Sequence, residues 1–421
     1  MHLLDATRPT AVPAIVFLVW WPLFAVLPGR FTRTFFIIAG VLTLAAVEGP
    51  WLALGLLAAI LLGYALVEGA VRLPRGRGPA FAALLVLLHA AYWACFYLPL
   101  PAVFEHARLR EPDKHPTFVL FSGIAVTFFR LVSYAWDRWR AAGGPTRLRD
   151  YLAYMLFFPQ FRHGPVERCG SFADKLRTAR EVWTQRDLGV GLLRVLAALA
   201  SLVGLMGAAQ GVGKIMPAPL TNVGMDILSH PEQLTAGQVL LLMHVPLLIL
   251  YVLESSFARL QLGVARAFGV KGTENFNYPL LARSPRELWH RWNITVSSWL
   301  RDYAYIPLGG NRRHKYLNIA LVFVYCGLLH ALQWRCLAWG IWTGGTLALF
   351  LWIADRWKAW RANAPPVHPV TGAIGGFVAR LLTYHWLCIG VTIILDPEYC
   401  GLKVLARYLE IITGGLIAWP S

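Results

Sequence analysis

The sequence predicts an all-α polytopic membrane protein, with about eleven transmembrane helices and re-entrant or interfacial helices between them. Three observations carry this reading. Of 421 residues, 57% are hydrophobic and only 14% charged, against about 25% charged in ordinary soluble domains. Apolar runs recur at the length of about 20 residues that a helix needs to cross the hydrocarbon core. Finally, 39 Lys and Arg stand against 22 Asp and Glu, a net charge of +17, and they gather in alternate connections between the runs, as membrane orientation requires. The composition excludes a soluble cytosolic enzyme and a disordered chain, and the loop placement of the surplus charge argues against nucleic acid.

In chain order the candidate spans are 11–28, 34–48, 50–71, 80–103, 116–136, 188–210, 236–253, 316–333, 335–354, 375–395 and 402–419. The opening MHLLDATRPT has little positive charge and no small-residue cleavage site, so the first run reads as a retained anchor. The pairs meeting at Pro50 and Trp334 read either as two helices each or as one broken helix. The stretch 149–161, RDYLAYMLFFPQF, is apolar but short and ends near a proline. It reads as re-entrant or interfacial, which is tolerable only where protein buries it.

Basic residues mark one side. Arg30 and Arg33, then Arg72, Arg75 and Arg77, then ten Lys/Arg in 137–186, ten in 254–315, and finally Arg356, Lys358 and Arg361 fall on one face when spans are counted in order. The connections around Gly49, 104–115, 211–235 and 396–401 are nearly neutral. The basic face is therefore expected in the cytoplasm, with the N-terminus outside and the protein in the cell (inner) membrane. The whole of 1–421 reads as one integral membrane domain with two long cytosolic segments, 137–186 and 254–315. Loops of that length are seldom idle. The six cysteines, Cys95, Cys169, Cys326, Cys336, Cys388 and Cys400, show no CxxC pair or zinc spacing, and read as packing residues.

Two regions carry candidate chemistry. In 284–303, Ser284-Pro285-Arg286-Glu287 has the form of a helix start with a capping box. Aromatic and cationic residues then alternate through Trp289, His290, Arg291, Trp292, Trp299, Arg301 and Tyr303. Two readings stand for this belt: an interfacial amphipathic helix at the headgroup layer, or a surface that binds phosphate. The second region is Gly327-Leu328-Leu329-His330, near the outer end of an apolar run. An ionisable group at that depth faces a cavity or a partner. His330 reads either as a core histidine bonded to a carbonyl or as a general base. His89, His244 and His385 also lie in or near apolar runs, and composition alone does not choose among them. Gly309-Gly310 reads as a turn or a phosphate cradle, and Arg162 and Arg168 as headgroup contacts or as ligands of a donor's phosphates.

The blocks ENFNYPLLARSPRELW (274–289) and SSWLRDYAYIPLGGNRR (297–313) strongly resemble the signature of the membrane-bound O-acyltransferase family. The likeness is to the bacterial branch holding alginate O-acetylases and the teichoic acid D-alanyl transfer protein. GIAVTFFRLVSYAWDRWR (123–140), FFPQFRHGPVERC (157–169) and GLLHALQW (327–334) agree with it, so the resemblance reaches from about 120 to 355. It implies helices around a central tunnel, with a cytosolic acyl thioester at one mouth and an acceptor hydroxyl at the other. It also implies His330 as general base, and Asn293, at the family's second marked position, as a group that orients the donor or stabilises the oxyanion. The polysaccharide branch usually carries His where this chain has Asn293, and an aromatic, Asp-rich block where it has ESSFARLQ (254–261). His290, one turn before Asn293, either compensates for that departure or is an interfacial side chain. His290, Trp292, Trp299, Arg301 and Arg162 are the expected substrate-binding residues.

The expected activity is transfer of an acyl group from acyl coenzyme A or an acyl carrier protein to a hydroxyl of a cell-envelope glycan or exported acceptor, with no bound cofactor or metal. Expected partners are membrane lipid, the donor or its carrier on the cytosolic face, and a periplasmic or extracellular acyl-transfer partner. The alternatives are a transporter and a catalytically silent family member, either one serving an envelope polysaccharide complex.

Overall fold

A backbone in hydrocarbon must satisfy its own hydrogen bonds, and helices do so within one segment. In the computed structural model every element among the described residues is helical. Those residues are 17–73, 77–97, 123–140, 146–162, 164–215, 233–360, 369–394 and 400–415. The N-terminal MHLLDATRPT, Arg75, the neutral loop 104–115, most of 211–235, Arg361, 396–399 and the ends of several predicted runs lie outside them. The helices are α1 (Phe17–Val26), then α2 (Thr32–Glu48), α3 (Pro50–Arg72), α4 (Arg77–Tyr97), α5 (Ile124–Arg140), α6 (Leu148–Met155), α7 (Cys169–Val182), α8 (Gln185–Ile215), α9 (Ala236–Ala267), α10 (Pro285–Trp289), α11 (Ile294–Leu300), α12 (Lys315–His330), α13 (Trp334–Trp360), α14 (Pro369–Ile394) and α15 (Cys400–Ile412). Both ambiguous pairs resolve as separate helices: α2 and α3 part at Gly49, whose φ is 90°, and α12 and α13 part at 331–333.

Among the described residues seven helices, α2, α3, α4, α8, α9, α13 and α14, are long and apolar enough to cross a membrane, and α1 and α12 are shorter apolar helices. The protein is therefore a multi-pass membrane protein; the predicted count of eleven is not confirmed among the described residues. Run 116–136 gives α5, which is buried from Ile124 to Ala135 except at Phe129 and holds Arg130 inside it. Run 402–419 gives α15, which at 13 residues spans only about 20 Å. Helix α9 also runs on to Ala267, so ESSFARLQ is helical rather than the start of a loop.

The chain divides into two compact units, 1–200 with 256–275 and 201–255 with 276–421. The first is built on packed aromatic rings. Phe24, Phe35, Phe36, Phe157, Phe158, Phe172 and Phe268 belong to one buried cluster. A methyl group on Gly40 would lie 2.0 Å from the Leu156 carbonyl oxygen, so α2 meets the end of α6 at backbone distance. Helix α6, the predicted re-entrant stretch, ends inside protein, where its last carbonyls need partners. Arg130 supplies them, donating to the carbonyls of Tyr154 at 2.8 Å and Met155 at 3.2 Å. On α3, Glu68 is buried and takes Arg138 Nε at 2.7 Å, Arg138 Nη2 at 3.0 Å and the Tyr134 hydroxyl at 2.6 Å.

Removing one member of a buried ion pair strands the other charge, at a cost of about 3–5 kcal/mol, whereas replacing both with apolar groups is often near neutral. Glu68→Leu is therefore expected to lower the thermal unfolding temperature sharply in detergent, and Glu68→Leu with Arg138→Leu to recover most of the loss. Equal melting of the single variant and the wild type would show that the pair does not hold α3 to α5.

Candidate functional site

The second unit carries the motif segment, which is organised by caps and by unusual backbone. Ser284 Oγ accepts the Glu287 amide at 3.1 Å, with Pro285 opening the first turn, as the sequence predicts. The other half of the expected capping box differs. Glu287 accepts from the Arg283 amide at 2.8 Å and from Arg291 Nε at 3.0 Å. That amide, followed by the Arg291 guanidinium, holds the Glu287 carboxyl below the usual carboxylate range. Arg291 also braces the preceding turn: Asn277 N donates to its carbonyl at 2.9 Å, and its Nη1 donates to the Asn277 carbonyl at 3.1 Å.

The expected single amphipathic helix is broken. Helix α10 stops at Trp289 and α11 restarts at Ile294, with Asn293 between them at φ 43° and ψ 52°. Among the described residues three non-glycine positions have positive φ, Tyr278, Asn293 and His314, and all lie in this one segment. Such conformations cost about 1–3 kcal/mol each and gather at functional sites.

The predicted residues separate. Trp292 is buried with Leu247, Ala282, Leu288, Leu387, Cys388 and Val391, its ring 5.4 Å from Phe276 and 5.8 Å from Tyr251. Trp299 is buried against Tyr303 and Tyr325. These two tryptophans are packed in protein rather than forming a headgroup belt. His290 and Arg301 are exposed, and Arg301 pairs with its neighbour Asp302 at 2.8 Å. Arg162 lies in the first unit, where its Nε is 3.0 Å from Glu48. Gly309-Gly310 is a turn pinned by Asn318 Nδ2, which donates to the Gly310 carbonyl at 3.0 Å and the Arg313 carbonyl at 2.6 Å.

His330 is the last residue of α12, on a hairpin held at backbone distance by glycines. A methyl group would lie 2.1 Å from the Cys336 carbonyl oxygen if placed on Gly327, 2.7 Å from the Phe323 carbonyl oxygen on Gly340, and 2.7 Å from the Ala320 carbonyl oxygen on Gly344. Small residues at this spacing are how membrane helices pack most closely. The His330 ring is half-buried and meets Trp339 at 5.6 Å in an edge-on contact of 78°. Trp339 in turn meets Trp289 at 6.2 Å, and Trp289 also packs on Phe323 at 4.9 Å. Phe323 lies eight residues, about 12 Å, into α12. Helix α10 therefore reaches the depth of the hairpin, and Trp339 joins the motif segment to His330.

Hydrogen bonding separates the four intramembrane histidines. His89 Nδ1 is 2.7 Å from the Leu85 carbonyl and His244 Nδ1 is 2.7 Å from the Leu240 carbonyl. His385 lies between His244 at 3.2 Å and the Tyr408 hydroxyl at 2.8 Å. Neither ring nitrogen of His330 has a hydrogen-bond partner among the described residues.

The family model of the membrane-bound O-acyltransferases matches residues 81–395, about three quarters of the chain. The chain belongs to that family. Among curated membrane-bound O-acyltransferase relatives, it is 32% identical over 243 residues to a protein of Azotobacter vinelandii described as "Probable alginate O-acetylase", covering 57% of this chain and 46% of that one. It is 30% identical over 212 residues to the peptidoglycan O-acetyltransferase of Helicobacter pylori, covering 48% of this chain and 37% of that one. It is 23% identical over 332 residues to the teichoic acid D-alanyltransferase of Bacillus subtilis, covering 74% and 75%. The chain spans about half the length of the first curated relatives it matches.

Sequence reasoning missed Trp339 and Tyr278. Trp339 is one of 18 tryptophans and carries no motif of its own. Tyr278 precedes Pro279, which favours extended backbone at the residue before it, yet it is left-handed. Gly327 was legible only as part of GLLH. Its role predicts a strong effect. Gly327→Ala is expected to lower stability by at least the ~1–3 kcal/mol of overpacking. Gly345→Ala on α13, with nothing within 4 Å of the added methyl, is expected to melt like wild type in detergent.

Proposed function

We propose that the chain is a membrane O-acyltransferase that moves an acyl group from a cytosolic thioester to a hydroxyl of a cell-envelope glycan or exported acceptor. The observation that carries this reading is His330, alone among the intramembrane histidines in having neither ring nitrogen hydrogen-bonded among the described residues. A base must keep a lone pair open for the proton it takes. Membership in the family and relatives named for alginate, peptidoglycan and teichoic acid support the substrate class.

The reaction runs as an acyl exchange. The acceptor oxygen attacks the thioester carbonyl carbon while His330 takes the hydroxyl proton. The carbon–sulfur bond then breaks, the sulfur leaves as thiolate, and the imidazolium returns the proton to it. No oxidant or metal enters this balance. Basic residues on the 137–186 and 254–315 segments support a cytosolic position for those segments at the inner membrane, where an anionic coenzyme A ester or carrier protein would dock. Arg301 and His290 of the second unit are the groups for that docking, and Arg162 of the first unit is, taken by itself, a further basic group offered to an anion. Asn293, at the break between α10 and α11, offers an amide to orient the donor carbonyl. An acyl-transfer partner on the outer face completes the reading.

The test is acyl transfer by purified protein in detergent, with labelled acetyl-coenzyme A or acetyl-carrier protein and oligosaccharides of the three glycan classes. His330→Ala is expected to lose about 10²–10⁴-fold in rate while melting like wild type. Wild-type rates in that variant would remove His330 from the mechanism, and a protein that forms no ester with any donor would favour the transporter or silent-partner reading. Asn293→Gly keeps the left-handed backbone and removes only the amide. It is expected to lower kcat by roughly ten-fold or more without lowering stability, whereas a variant that melts early and transfers normally would assign Asn293 to the turn alone.

A further inference from the structure

Two arginines of the second unit approach one turn of α14, and neither has an anion to pair with. Arg283 stands just before the Ser284 cap, and its side chain reaches α14. A methyl group placed on Gly376 would lie 3.7 Å from Arg283 Cζ and 3.8 Å from both Nε and Nη1, so the planar group lies face-on over that glycine. Arg380 is one turn further along α14 and is half-buried. Side chains on a helix lean toward its N-terminus and cover the preceding turn, which sends Arg380 back toward Gly376. Its Nε is buried without a hydrogen-bond partner, and neither guanidinium makes a hydrogen bond or ion pair among the described residues. Glu287, the carboxyl of the α10 turn, is taken by Arg291, with Nη2 at 2.8 Å and Nε at 3.0 Å. Half-buried arginines elsewhere have carboxylates: Arg266 has Asp187 at 2.6 Å, and Arg407 has Glu410 at 2.8 Å.

What the pair lacks is an oxyanion, and its place on α14 says which kind. Gly376 and Arg380 lie seven and eleven residues past Pro369, about 10 and 16 Å, inside a helix apolar enough to cross a membrane. The neighbouring row of that helix, Ile374, Phe377 and Leu381, is exposed, as a face turned to lipid is. An arginine in such a span is costly unless its head reaches the interface or meets an anion. Leaning toward the N-terminal end of α14 serves the first need. A phosphodiester between two guanidiniums serves the second, because each planar fork matches two phosphate oxygens. We propose that Arg283 and Arg380 hold the phosphate of an anionic phospholipid at Gly376, with its acyl chains along Phe377 and Leu381. A soluble phosphate ester has nothing to lay on that apolar row, whereas a lipid covers it. The bound lipid ties the residue before the Ser284 cap to α14, and so fixes the start of the motif segment at the membrane.

The probe is fluorescent phosphatidylglycerol, added to the full chain purified in detergent, with phosphatidylcholine as the comparison lipid of no net charge. Wild type is expected to bind phosphatidylglycerol about ten-fold more tightly than phosphatidylcholine, and to melt at a higher temperature when it is present. Arg283→Gln and Arg380→Gln are each expected to weaken binding about ten-fold and to lose most of the melting shift. Without lipid both are expected to melt like wild type, because each removes a cation that has no partner in the protein. If Arg380→Gln melts early, Arg283→Gln, at an exposed position, decides. Gly376→Glu, which places a carboxylate beside the guanidiniums, is expected to abolish binding and to melt at or above the wild-type temperature. Arg312→Gln, at an exposed arginine of the same unit, is expected to bind as wild type does. Equal binding by Arg283→Gln and wild type, or no preference of wild type for the anionic lipid, overturns the site. Displacement of the labelled lipid by millimolar coenzyme A or inorganic phosphate overturns the lipid and gives the site to a soluble phosphate ester.

Discussion

The approach of α12 to α13 at backbone distance governs the region around His330. With Gly327 facing the Cys336 carbonyl and Gly340 facing the Phe323 carbonyl, there is no room for a side chain at either position. The two helices therefore behave as one rigid piece, and His330, three residues past Gly327, is carried to the Trp339 ring. Any added atom at Gly327 would have to separate the helices, moving the histidine away from that ring. Close packing of this kind replaces the hydrophobic drive that is missing between helices in lipid. The position of His330 is thus set by backbone contact nearby in the seam, not by a hydrogen bond to the ring itself.

That division is economical in a low-dielectric setting. A polar group in the apolar layer needs a partner, and elsewhere the chain provides one. Glu68 has Arg138 and Tyr134, Arg130 has the end of α6, and three of the four intramembrane histidines have carbonyl, hydroxyl or imidazole partners. Against this background His330 stands apart, with neither ring nitrogen hydrogen-bonded among the described residues. Orienting His330 by ring packing leaves both of its nitrogens open, whereas a carbonyl such as the one that holds His89 would consume one.

Much of this was legible in the sequence. The apolar runs marked the long helices, SPRE marked the start of α10, and GLLH marked the histidine that stands out. What was not legible has physical causes. Apolar composition does not distinguish a helix facing lipid from one buried in protein, and so α5, with Arg130 inside it, reads as a span. The periodicity of WHRWN followed by ITVSSWL is continuous across residue 293, because a single left-handed residue leaves no trace in hydrophobic pattern. The same residues that suggest a headgroup belt, Trp292 and Trp299, suit a core equally well. Arg283 and Gly376 are distant in the chain, and only the packing of the motif segment on α14 brings them together.

The break at Asn293 bears on why that position is marked at all. A left-handed conformation disfavours most side chains, and asparagine and histidine are among the few non-glycine residues enriched there. The alternation of His and Asn in the motif therefore matches a backbone demand before it matches a chemical one. In this chain the turn sends Trp292 into the cluster with Leu247 and Leu387, and restarts a helix that buries Thr295 and Trp299. A β-branched residue at 293 would oppose that turn even if its chemistry were harmless. In the proposed reaction His330 is the base, and position 293 is then free to carry an amide. The substitution that looks like a lost catalytic histidine then leaves both requirements met: the turn, and a hydrogen-bond donor beside it.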